Sequence, residues 1–212
     1  METTLSQDRP GLVTALGRNP VLVGLPGAGK SSVGKRLAAR LGVPFVDADT
    51  EIEKAAGMTI DEIFKMHGEP AFRDGEARVI ARLVTGGPQV IATGGGAFMR
   101  ADTREAIARD GIAIWLDAST DVLLSRIVRR TNRPLFHNVD PRQKLVDLRA
   151  VRDPVFAEAP IRVTSSAGPH DRVVNAIIRE LKARVDGMPQ GDAGETDCKA
   201  SGMAEPQVAD QA

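Results

Sequence analysis

Eight residues, Gly24-Leu25-Pro26-Gly27-Ala28-Gly29-Lys30-Ser31, have the types and spacing needed to hold a polyphosphate. The glycines let the backbone curl until successive N–H groups face phosphate oxygens, and a helix starting there adds the partial positive charge of its N-terminus. Lys30 is set to bridge β- and γ-phosphates, and the Ser31 hydroxyl is a hard oxygen ligand of the kind Mg2+ prefers. An apolar run, Val21-Leu22-Val23, stands directly before the motif, and a helical pattern, Val33/Leu37/Leu41, directly after it. Strand before and helix after are what separate a working cradle from a glycine-rich turn that happens to carry a lysine.

Two carboxylates follow in Phe45-Val46-Asp47-Ala48-Asp49. On a strand the period of two turns both to the same side, where one can anchor Mg2+, usually through water, while the other orients or deprotonates an acceptor hydroxyl. Asp47 suits the first role and Asp49 the second. The same residues also read as a helix cap and loop, with Asp49 capping a helix that starts at Thr50. Gly94-Gly95-Gly96, after the apolar Val90-Ile91-Ala92, is either a flexible turn or a place where backbone N–H groups come close to a ligand.

The elements that must position these groups are visible as an alternation. Short apolar runs at Val21–Val23, Pro44–Val46, Gln89–Ala92, Ile112–Leu116 and Ile161–Val163 are separated by segments with apolar residues every three or four positions. Five buried strands alternating with helices predict a parallel sheet covered on both faces, with ligands beyond the carboxyl ends of the strands. The 212 residues, 42% hydrophobic and 26% charged, suffice for one α/β domain. With 28 basic and 28 acidic residues there is no net charge to favour nucleic acid or a membrane surface. The single cysteine, Cys198, excludes a disulfide framework or a cysteine metal cluster and fits a reducing compartment. No run approaches the roughly 20 apolar residues of a membrane span, so a soluble, cytoplasmic protein is expected. Residues 1–19 and 187–212 are mixed and polar and are expected to be disordered, leaving 20–186 as the folded unit.

With Phe72-Arg73, Arg133-Pro134-Leu135 and Arg152 added in order, the cradle, the Asp-Ala-Asp and the triple glycine resemble shikimate kinases over about residues 20 to 185. The resemblance implies a P-loop NTPase fold, a three-layer α/β/α sandwich whose five parallel strands run in the order 2-3-1-4-5. It also implies ATP with Mg2+, and phosphorylation of the 3-hydroxyl of shikimate on the way to chorismate and the aromatic amino acids. For ATP it points to Gly27, Ala28, Gly29, Lys30, Ser31 and Ser32, with Arg126 and Arg133 from a lid at about 126–140. For shikimate it points to Asp49, Arg73, Gly94, Gly95, Gly96 and Arg152, the two arginines taking the carboxylate as bidentate forks. Lys30, Asp49 and Arg133 would be catalytic, and Ser31 and Asp47 would hold the metal. Arg129 and Arg130 read as a solvated helix end. Glu76, three residues after Arg73 on one helical face, would hold that guanidinium by an ion pair, and Ser165–His170 resembles the loop beside the adenine. A monomer is expected.

Two other readings compete. A gluconate or nucleoside monophosphate kinase shares the cradle and a basic lid, but Arg73, the triple glycine and Arg152 argue against it. A nucleotide-dependent regulatory protein that has lost catalysis is at odds with the presence of Lys30, Ser31, Asp47, Asp49 and Arg133 together.

Overall fold

The computed structural model describes residues 11–128 and 139–187. Their five strands form one parallel sheet: β1 Asn19–Val23, β2 Phe45–Asp47, β3 Val90–Ala92, β4 Gly111–Asp117 and β5 Ile161–Thr164, in the spatial order β2-β3-β1-β4-β5. β1 lies in the middle and is buried along its whole length, as expected of a parallel strand covered on both faces. β5, at one edge, instead alternates buried and exposed residues.

Among the described residues eight helices supply the cover: α1 Gly11–Leu16, α2 Lys30–Leu41, α3 Ala48–Ala56, α4 Ile60–Val84, α5 Ala101–Asp110, α6 Thr120–Val128, α7 Pro141–Phe156 and α8 His170–Asp186. Local chemistry sets their ends. Gly42, left-handed at φ 68°, closes α2 by donating its N–H to Ala38 and Ala39 carbonyls. Thr59 and Glu62 form a reciprocal capping box at the start of α4. α4 is broken at Gly68, whose φ of 78° and ψ of 173° lie outside the helical region, and Pro70 falls in the first turn of the second segment, where a missing N–H leaves no bond unmade. None of the helices among the described residues is long and apolar enough to cross a membrane.

α1 corrects one expectation. The folded unit includes Gly11–Leu16, ahead of Pro20: Val13 and Leu16 are buried and α1 packs against α8. Six residues are too few to present a helical period in the sequence, which is why the segment reads as part of a polar extension. Asn19 strengthens the same corner. Buried at the start of β1, it donates from Nδ2 to the carbonyls of Val84 and Gly86, each at 3.2 Å, and accepts from the Gln89 N–H at 2.9 Å, tying β1 to the α4–β3 turn.

The wall beyond β4 is aromatic. Phe156, at the end of α7, stacks on Trp115 of β4 (centroids 5.9 Å apart) and on Phe98 (6.2 Å), which sits in the 3-10 turn Ala97–Met99 after β3. The Arg162 guanidinium covers Trp115 at 4.4 Å.

Because α1 belongs to the core, Leu16→Ala should lower the unfolding free energy by about 2–3 kcal/mol in urea titrations. A change within about 0.5 kcal/mol, the range of an ordinary surface substitution, would return α1 to the status of an appendage.

Candidate active site

The order of the sheet brings the chemistry together. Asp47, the last residue of β2, pairs with Ala92, the last of β3, so the segments that follow, Ala48–Asp49 and Thr93–Gly96, leave the sheet side by side. β3 in turn pairs with β1, from which the cradle emerges. Gly24 begins it at φ 138°, and a Cβ there would stand 2.7 Å from the carbonyl oxygen of Leu116 in β4, so only glycine lets the loop turn so close to its neighbour. Gly29, at φ 98°, is the N-cap of α2.

Lys30 folds back over the loop, its ammonium donating to the Gly24 carbonyl at 2.7 Å and to Leu25 at 3.2 Å. The Ser31 hydroxyl donates to Asp47 Oδ2 at 2.8 Å, and Asp47 Oδ1 accepts from the Asp49 N–H at 3.2 Å. Asp47 is therefore the N-cap of α3, while Asp49 lies in that helix's first turn. This corrects the shared pleat expected of the two carboxylates: they face one centre because the strand ends at the first and a helix begins there. It also moves the cap from Asp49 to Asp47.

Asp49 is pushed up from 3.8 to about 6, first by burial and then by the charge of Asp47, with Lys30 opposing and Glu76 adding to the rise. Gly94 explains the last contribution. A Cβ on it would stand 2.8 Å from Glu76 Oε1 and 3.0 Å from Asp49 Oδ1, so both carboxylates crowd one backbone position.

The arginines converge on the same turn from two helices. Arg73 of α4 lies against Gly96, where a Cβ would stand 2.9 Å from one of its terminal nitrogens. It donates to Glu76 Oε2 at 2.7 Å, as the spacing predicts, and also from Nε and Nη2 to Glu69 Oε1, each at 3.2 Å. Glu76 is buried, and burial raises its pKa despite Arg73; its Oε1 has no hydrogen-bond partner. Arg152 of α7 donates to the Gly95 carbonyl at 3.0 Å, and burial followed by the charge of Arg73 holds its pKa down. Two guanidiniums that repel each other beside a glycine turn favour an incoming anion.

A cavity of about 720 Å³ runs along the cradle past Lys30, Asp49 and Gly94 to Ala167, Gly168 and His170. Ser32 and Arg126 line it too. Arg126 bridges the cradle to the Ser165–His170 loop: it donates to the Gly27, Ala28 and Ser166 carbonyls and to Ser165 Oγ, the longest of these at 3.2 Å. Ala28 is buried and gives its own N–H to the Leu25 carbonyl at 3.1 Å. Arg133, with Arg129 and Arg130, lies outside the described residues. Thr93 and Glu69 carry no signal in the sequence that separates them from their neighbours, whereas the buried Ser165, whose hydroxyl donates to the Ala28 carbonyl at 2.8 Å, opens the stretch expected beside the adenine.

The family model for shikimate kinase matches residues 26–182. A shikimate kinase of Bradyrhizobium diazoefficiens is 55% identical over 177 residues, 83% of this chain and 86% of that one. Another, of Rhodopseudomonas palustris, is 56% identical over 171 residues, 80% and 84% of the two chains. A solved shikimate kinase of Acinetobacter baumannii in complex with shikimate superposes with a TM-score of 0.76 at 38% identity, covering 81% of this chain and 98% of that one.

Because the folded pKa of Asp49 lies above its ordinary value, the fold favours the neutral acid; that contribution is full below 3.8 and lost as pH rises through about 6. In the ligand-free protein at pH 7.5, Asp49→Asn should therefore raise the melting temperature by about 2–6 °C. The gain should vanish below pH 3.8 in scanning calorimetry across pH. A lower melting temperature at pH 7.5 would contradict the assignment.

Proposed function

The chain belongs to the shikimate kinase family, and from that premise we propose how its residues share the transfer of the γ-phosphoryl group of ATP to the 3-hydroxyl of shikimate. The gluconate and nucleoside monophosphate readings give way to this one. The observation that carries it is the chain of bonds from Ser31 through Asp47 to the Asp49 N–H, which links the phosphate cradle to a glycine turn gripped by two arginines.

On the acceptor side, Arg73 and Arg152 take the carboxylate of the ring, which relieves their mutual repulsion. Backbone groups of Gly94, Gly95 and Gly96 approach the ring without steric hindrance, and Asp49 accepts the hydrogen bond of the attacking hydroxyl. As the new P–O bond forms and ADP departs, the hydroxyl proton passes to Asp49 or is released late, since a loose transition state asks for orientation more than for early deprotonation.

On the nucleotide side, Gly27 to Ser32 surround the phosphates, and Lys30 exchanges the Gly24 and Leu25 carbonyls for β- and γ-oxygens. Ser31 and Asp47, already 2.8 Å apart, form a hard-oxygen pair suited to Mg2+, which keeps most of its other positions for water and phosphate. When bound, the ion would neutralise charge on the β- and γ-phosphates. Arg126 borders the nucleotide, and Arg133 is assigned to the transferring phosphate on the strength of the sequence motif alone. The same reading makes the enzyme a cytoplasmic monomer.

Purified protein with MgATP should release ADP only when shikimate is added, with a phosphate ester appearing in the phosphorus NMR spectrum; ADP release that ignores shikimate would overturn the reading. Arg73→Lys should raise the KM for shikimate about 10- to 100-fold, the worth of a lost charge-assisted hydrogen bond, with the KM for ATP little changed. On the acid side, kcat/KM for shikimate should fall as pH drops through about 6, where Asp49 becomes protonated. Asp49→Asn should abolish that limb and slow turnover by about 10²–10⁴.

A further inference from the structure

Arg152 does its work from α7, so whatever sets the position of that helix sets the reach of the guanidinium. Apolar contacts hold α7 broadly: Leu145, Leu148 and Phe156 are its buried residues. Such contacts fix a helix against a sheet but tolerate sliding and rotation better than directional bonds do.

The directional bonds come from Arg149, one turn before Arg152. It donates through Nη1 to the Ala118 carbonyl at 2.5 Å and through Nη2 to Asp117 Oδ1 at 3.3 Å. The same Nη2 lies 2.8 Å from Asp153 Oδ2 on its own helix, one residue after Arg152. Asp117 is the last residue of β4, and its other oxygen accepts from Arg162 of β5 at 2.7 Å. These side chains are mostly shielded, with Asp117 15%, Arg149 25% and Asp153 23% exposed, so the bonds are less screened than those of a surface pair.

The strand end they grip is not a neutral support. Leu116, next to Asp117, is the residue whose carbonyl closes on Gly24 at the start of the phosphate cradle. One short segment of β4 therefore touches the nucleotide loop on one side and holds the acceptor helix on the other.

We propose that Arg149, clamped between the end of β4 and Asp153, is a positioning residue that sets the reach of Arg152 toward the acceptor's carboxylate, and so acts on acceptor binding and not on the nucleotide. The inference rests on the reading of Arg152 as a grip on that carboxylate. Arg149 itself touches neither substrate, and no feature of the sequence distinguishes it from the chain's other arginines.

The test is steady-state kinetics on the full chain with shikimate and MgATP, for Arg149→Ala, Arg149→Lys, Asp153→Asn, Arg152→Lys and the double variant Arg149→Ala/Arg152→Lys, each checked for folding by circular dichroism. Arg149→Ala should raise the KM for shikimate about five- to tenfold, less than the loss of a charge-assisted bond to the acceptor itself because Arg149 acts only through Arg152, with the KM for ATP changed by less than about twofold. Asp153→Asn, which keeps shape, should move the same constant in the same direction by a smaller factor, and it carries the test if Arg149→Ala does not fold. Arg149→Lys should recover part of the loss, because a single ammonium can reach one of the three acceptors but not fork between them. On the Arg152→Lys background, removal of Arg149 should add less than about twofold, since both changes act through one guanidinium. Equal increases in both KM values, or full additivity with Arg152→Lys, would overturn the proposal and leave Arg149 a stabilising residue only. If Arg152→Lys itself leaves the KM for shikimate unchanged, the carboxylate reading of Arg152 fails and this proposal falls with it.

Discussion

The carboxylate of Asp47 joins the two halves of the site. One oxygen accepts the Ser31 hydroxyl at the first turn of α2, and the other accepts the Asp49 N–H at the first turn of α3. The end of β2 and the first turns of α2 and α3 thus meet on one side chain, and the distance between the glycine-rich loop and Asp49 is set there. Because β2 and β3 pair in register to their last residues, the glycine turn opposite Asp49 is positioned by the same strand ends.

Electrostatics around that turn follow from crowding like charges where water is scarce. Asp49 and Glu76 approach Gly94 from different helices, and both are raised by burial. Arg73 and Arg152 approach Gly95 and Gly96, one paired with two glutamates and the other with a backbone carbonyl. The free site therefore holds charge that is only partly compensated. On the proposed reading, an acid that carries a hydroxyl would satisfy both sides together, the guanidiniums gaining an anion and Asp49 a donor.

Much of this was legible in the sequence, for physical reasons. Strands buried on both faces must be continuous apolar runs, so β1, β3 and β4 stand out, and the alternation with helical periods implies their parallel course. The cradle reads clearly because its geometry demands particular residues at fixed spacing. The Arg73–Glu76 pair follows from helical spacing alone. What escaped reading depends on distance across the fold. Arg149 finds Asp117 from 32 residues away, and Asn19 binds Gly86 across 67. Nothing local separates those side chains from solvated ones. The helix at Gly11–Leu16 was hidden for another reason, being shorter than two turns, and the pleat assigned to Asp47 and Asp49 failed because the strand ends at Asp47, two residues sooner than the pattern assumes.

Trp115 is the sole tryptophan of a chain that has no tyrosine. It lies in β4 with Phe156 of α7 on it and the Arg162 guanidinium over its ring. The protein's near-ultraviolet emission therefore comes from one indole, whose surroundings include the end of the helix that carries Arg152. A change in how that helix end packs on Trp115 would alter the surroundings of a single native fluorophore, readable without a label.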